Sequence, residues 1–130
     1  MNISDGTFTL RALVEFTVPG VHTEKLGSGN QDWDTKVRNK VREAIAPLTL
    51  PQQCAWFAVT AKWFVVPARY RRQDPDLDNF RIKPVMDSLT RLGFWEDDNV
   101  QFVRRIGSEV AFVSSADDRR LEVTIYGAVN

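Results

Sequence analysis

Three segments of this chain alternate apolar and polar side chains every second residue, and two others repeat apolar residues every three to four. That change of period limits the possible folds more than any other feature. Period two buries one face of a strand, and period 3.6 buries one stripe of a helix. In residues 7–18, Phe8, Leu10, Ala12, Val14, Phe16 and Val18 share a side, with Thr7, Thr9, Arg11, Glu15 and Thr17 mostly opposite, and Pro19-Gly20 ends the run. A polar loop to about Gln31 leads to a helix with the stripe Val37, Val41, Ala44 and Ile45; Asp32 or Asp34 can cap it and Pro47 stops it. Residues 55–66 form a second strand, with Phe57, Val59, Ala61, Trp63 and Val65 on one face and Lys62 on the other. A second helix runs to about Leu92, with Ile82, Val85, Met86 and Leu89 inward and Gly93 as its C-terminal cap. Residues 99–113 read as a strand with a break expected near Gly107-Ser108, and after a turn Leu121, Val123 and Ile125 alternate in the last strand.

The order β-α-β-α-β-β predicts an α/β (α+β) fold, a single two-layer domain over residues 1–130 with two helices on one face of a small mixed sheet. A chain of 130 residues supports one core rather than two. The four Trp residues are expected in that core. No stretch approaches the roughly 20 apolar residues of a membrane span, and Met1 to Thr9 lacks a basic end followed by an apolar run. Cys54 is the lone cysteine, so no intrachain disulfide forms, and it is expected as a small buried residue at a strand start. These features suit the cytoplasm.

Chemistry concentrates in one stretch. Asp76 and Asp78 stand two apart, and Asp97-Asp98 follows Gly93-Phe94-Trp95. Carboxylates placed together repel, and a divalent cation relieves that repulsion. Hard oxygen donors suit Mg²⁺ or Mn²⁺, ions that serve phosphodiester chemistry. In extended chain, Asp76 and Asp78 point the same way. Each pair also has a plainer reading: Asp78 as a helix cap, and Asp97-Asp98 as an ordinary turn. The two pairs flank one helix, about 20 Å apart at ~1.5 Å per residue. They converge only if residues 99–103 run back alongside the strand end that carries Asp76. Lys83 and Asp87, four apart, can pair. Arg69, Arg71 and Arg72 precede the aspartates and Arg81 and Lys83 come after them, while Lys36, Arg38, Lys40 and Arg42 lie on the first helix. Acid to hold metal flanked by base to hold phosphate fits a nucleic-acid enzyme, whereas a formal net charge of zero disfavours coating of nucleic acid by the whole surface.

Asp76-x-Asp78-Asn79, then Lys83, Asp87 and Gly93-Phe94-Trp95-x-Asp97-Asp98 resemble the signature of RusA-type Holliday junction resolvases. The resemblance extends from about residue 8 to 126. It implies a homodimeric, Mg²⁺-dependent endonuclease (Mn²⁺ as a substitute), typically phage-derived and so in a bacterial cytoplasm, that cuts branched DNA at four-way junctions by paired nicks. By position, Asp76, Asp78 and Asp98 resemble the catalytic, metal-binding aspartates and Lys83 the essential lysine. Asn79 and Asp97 match supporting or DNA-contacting positions, Asp87 matches an acid read as structural, and Arg71, Arg72 and Arg81 are DNA-contact candidates. One residue more than the family usually has separates Asp78 from Lys83, so a π-bulge or a delayed helix start is expected there. Asp74-Pro75 stands where the family is often basic. The loop over 19–32 offers only His22 and Lys25. The alternatives are a non-catalytic branched-DNA-binding protein on the same fold, and a soluble domain whose acids are only turn and cap residues.

Overall fold

The computed structural model describes residues 8–20, 31–67, 80–97 and 99–129, with side chains omitted for 31–33. Strands and helices run in the expected order: β1 (Thr9–Pro19), α1 (Gln31–Ile45), β2 (Phe57–Val65), α2 (Lys83–Arg91), β3 (Val103–Phe112) and β4 (Arg120–Val129), with a 3-10 turn at Ala116–Asp118. The sheet order is β1-β4-β2-β3. Strand β4 is antiparallel to both β1 and β2, and β2 is parallel to β3. A parallel pair cannot be closed by a hairpin, and α2 lies in the crossover that joins β2 to β3. No helix among the described residues is long and apolar enough to cross a membrane.

Both helices contribute to one core. Phe57, Val59, Ala61, Trp63 and Val65 of β2 and Leu121, Val123 and Ile125 of β4 are buried against Val37, Val41 and Ile45 of α1 and Val85, Met86 and Leu89 of α2. On the other sheet face, Phe64 is shielded by Lys62 and by Arg120, whose guanidinium stands 3.8 Å from the ring centre. Two of the Trp residues, Trp63 and Trp95, are fully in the core, and Trp56 is half-buried.

Three expectations about elements are corrected. First, the alternation in β1 does not keep one face. Ala12 pairs with Tyr126 but Val14 pairs with Ile125, so Leu13 is an extra residue in a bulge. Phe16 and Val18 stay inward, whereas Phe8, Leu10 and Ala12 turn to the opposite face and Phe8 is exposed. Second, β3 runs through Gly107-Ser108 without a break; its one irregularity against β2 lies between Val103 and Arg105. Third, α1 begins at Gln31, so Asp32 and Asp34 lie inside it rather than at its cap.

The bulge depends on a glycine. A Cβ on Gly127 would overlap Cys54 Sγ and lie 2.6 Å from Leu13 Cδ1. Cys54 itself is half-buried, its thiol directed to the Gln52 carbonyl. Gly127→Ala is therefore expected to destabilise the fold by about 1–3 kcal/mol, since both side chains must shift in a packed site. Gly107→Ala, where a Cβ meets open space, should not. Urea midpoints check this: a lower midpoint for the first variant only, with the slope unchanged.

Candidate active site

Three consecutive residues lead into α2, and different elements hold them. Phe80 is buried, its ring centre 5.8 Å from that of Trp63. Its carbonyl accepts a hydrogen bond from Ser108 Oγ at 3.2 Å, and Ser108 Oγ accepts one from Trp63 Nε1 at 2.7 Å. Arg81 Nη1 pairs with Asp34 Oδ2 on α1 at 3.1 Å. Ile82 occupies the N-cap position of α2, and its carbonyl accepts from Met86 N at 3.0 Å. Pro84 comes next at the second helical position, where a missing N–H breaks no helical bond.

The helix thus starts at Lys83. Of the two devices expected to absorb the extra residue, the delayed start is the one present among the described residues. Ile82 occupies the N-cap and makes no side-chain capping bond; Asp78, the expected cap, lies outside the described residues.

At its other end, α2 closes with Gly93 at φ +88°, a left-handed conformation that favours glycine. Gly93 N donates to Thr90 O and Phe94 N to Leu89 O, the paired bonds of a Schellman closure. The chain then buries Phe94 and Trp95. The Trp95 ring centre lies 5.3 Å from that of Phe57, and its Nε1 donates to Thr90 Oγ1 at 2.7 Å. These anchors fix the backbone just ahead of Asp97. Asn99 organises the turn into β3: Nδ2 donates to Asp97 Oδ2 at 3.3 Å, Oδ1 accepts from Gln101 N at 2.9 Å, and its carbonyl accepts from Phe102 N and Val103 N.

The helix between the two acidic pairs has nine residues and is roughly 13 Å long. Residues 99–103 lie beside the start of β2, where Phe57 N donates to Phe102 O at 2.7 Å; the expected convergence of the two acidic pairs turns on Asp76, which lies outside the described residues. The chain returns to Phe80 over the middle of the sheet, since Ser108 stands opposite Ala61.

Lys83 and Asp87 pair as expected, Nζ to Oδ1 at 3.3 Å, with the lysine side chain two-thirds exposed. Farther along the same helix, Asp87, Thr90 and Arg91 line an open depression of about 550 Å³ together with Asp97 and with Arg38 of α1. Two carboxylates and two guanidiniums thus share a solvent-filled hollow. Asp76, Asp78, Asp98, Asn79, Arg71 and Arg72 lie outside the described residues, as do His22 and Lys25. No group of three or more His, Cys, Asp or Glu side chains placed to hold an ion occurs among the described residues. Burial pushes the Cys54 thiol pKa up, the wrong direction for a nucleophile.

Sequence reasoning missed Asp34, Ser108 and Arg91. Asp34 did carry a signal: it stands three before Val37, on the apolar stripe itself. Ser108 joins Trp63 to Phe80, so Ser108→Ala removes an acceptor from the buried indole N–H and a donor from the Phe80 carbonyl. A loss of about 1–3 kcal/mol is expected, read as a lower denaturant midpoint, with a larger fall than for an exposed serine such as Ser114.

A family model described as endodeoxyribonuclease RusA matches residues 26–126. No curated protein matches the chain. The matched span holds α1, β2, α2 and β3, both ends of the helix just described and the whole aspartate-bearing stretch, and this chain belongs to the RusA endodeoxyribonuclease family.

Proposed function

We propose that this protein is a Mg²⁺-dependent, structure-selective endonuclease that resolves four-way DNA junctions by paired nicks, acting as a homodimer. The observation that carries this reading is the family match across residues 26–126, which contains the four aspartates and Lys83 in family order. The structure adds support at the flanks: Phe80 and Trp95 anchor the chain on either side of the helix between the two acidic pairs.

In this reading Asp76, Asp78 and Asp98 hold the metal. Their donors are all hard carboxylate oxygens, which fit Mg²⁺ with Mn²⁺ as a substitute. When bound, the ion supplies activation of the attacking water and neutralisation of charge at the phosphate. Lys83 stands at the first position of α2, where the helix end favours an anion. Its ion pair with Asp87 is exposed and i,i+4, worth only a few tenths of a kcal/mol. The ammonium can therefore turn from Asp87 to a phosphate oxygen. Arg38 and Arg91 extend positive charge along the depression beside it, with Arg71, Arg72, Asn79 and Asp97 as further DNA contacts. Phosphate contacts of this type position a duplex without reading its bases, so selectivity comes from junction shape. Two copies supply the two nicks. Nuclease activity of this kind places the protein with cellular DNA, in the cytoplasm of a bacterial or phage-infected cell.

A second reading, a non-catalytic branched-DNA-binding protein, draws on the zero net charge and on the added residue between Asn79 and Lys83. Cleavage of a synthetic mobile four-way junction separates the two. With Mg²⁺, wild type should yield symmetric nicks. Asp76→Asn and Lys83→Ala should each lower the rate at least ~100-fold, the scale for loss of a main catalytic contributor, while retaining the wild-type fold. Junction binding without cleavage in Mg²⁺ or Mn²⁺ supports the second reading instead. Metal binding to the folded state raises the melting temperature as concentration exceeds Kd. That rise is expected for wild type and should shrink in Asp76→Asn; a temperature indifferent to metal in both contradicts the assignment.

A further inference from the structure

Asp34 and Arg81 form an ion pair that core stability does not explain. Asp34 retains only 9% of its exposure, and one carboxylate oxygen, Oδ1, is buried with no hydrogen-bond partner among the described residues. The other, Oδ2, meets Arg81 Nη1 at 3.1 Å. A buried carboxylate left half-satisfied costs more than an apolar residue of similar size at the same place. Its position on the apolar stripe of α1, three before Val37, is one where an aliphatic side chain would simply join the core. What the pair achieves is local. It ties α1 to the middle of the short non-helical turn Phe80–Ile82. Phe80 on one side is held by Ser108 and Trp63, and Lys83 on the other begins α2.

We propose that Asp34 is a positioning residue: through Arg81 it sets the path of the turn Phe80–Ile82, and so the placement of Lys83 at the start of α2. The inference rests on the nuclease reading above for its functional consequence, but its structural content stands apart from it. Arg81 then serves the site from within, with its Nη1 edge committed to Asp34 rather than to DNA.

The test uses the full chain and the variants Asp34→Asn, Asp34→Leu, Arg81→Leu and Asp34→Leu/Arg81→Leu. Hydrogen exchange is read first, since it needs no activity. Amides of residues 80–83 should exchange at least tenfold faster in each single variant, with those of β2 (57–65) unchanged; equal exchange at 80–83 overturns the proposal. Where wild type cleaves a four-way junction, kcat should fall at least tenfold in each single variant while junction affinity by gel shift changes less than twofold. The double variant should lose no more than the worse single one, because both act through one contact. A drop in affinity as large as the drop in kcat for Arg81→Leu, with Asp34→Asn unaffected, makes Arg81 a direct DNA contact and overturns the proposal. Should Asp34→Leu fail to fold, Asp34→Asn, which preserves shape, carries the same comparison. If wild type does not cleave, the nuclease reading fails and the exchange result alone decides this one.

Discussion

Two aromatic contacts on a single strand hold both flanks of α2 in place. Trp63 and Phe57 both point from the helix-covered face of β2, and they receive Phe80 and Trp95, one from each flank of α2. A large ring buried against another is worth several CH₂ groups of burial plus a specific ring geometry, so neither flank can slide without losing core. The parallel pairing of β2 with β3 requires a crossover, and the aromatic pairs fix that crossover at both ends. The second anchor also fixes the backbone leading to Asp97, two residues after Trp95.

The polar groups around this frame are arranged for accuracy more than for stability. Ser108 accepts from Trp63 and donates to Phe80, a relay that joins β2, β3 and the turn before α2. Asn99 closes the turn after Asp97 with three separate groups of its own. Lys83 and Asp87 sit exposed on α2, and Arg38 and Arg91 face the hollow that also takes Asp87 and Asp97. Net charge is zero over the whole chain, so a strong sequence-independent grip on DNA is not expected from charge number alone. Attraction has to come from local placement of a few cations beside a site that holds its own anions.

The period of the apolar residues made most of the fold legible. In β2 and β4 each inward residue is followed by an outward one, and the core lies where that pattern puts it. In β1 the pattern misled, because Leu13 and Val14 are both apolar and nothing local marks Leu13 as the extra residue; the bulge answers to Gly127 and Cys54, which are distant in sequence. The sheet order was hidden for the same reason, since pairing of β1 with β4 joins opposite ends of the chain. Within the site, the Lys83–Asp87 pair was legible from i,i+4 spacing and the helix stop from Gly93. Phe80 was not, because a lone aromatic in a polar stretch has no period to report its burial. Asp34 was read as a cap because aspartate favours that role; tertiary contact with Arg81 decides otherwise.

The central claim is that Asp76, Asp78 and Asp98, distant along the chain, gather round one cation at the aromatic-clamped helix. Crystals soaked in Mn²⁺ and measured for anomalous scattering test it most directly. The account predicts a strong peak within about 2.5 Å of a carboxylate oxygen from each of the three aspartates, close to the ~2.1 Å of a hard octahedral site. Peaks absent from this region, or a manganese held by Asp87 and Asp97 with the three aspartates turned elsewhere, would contradict it.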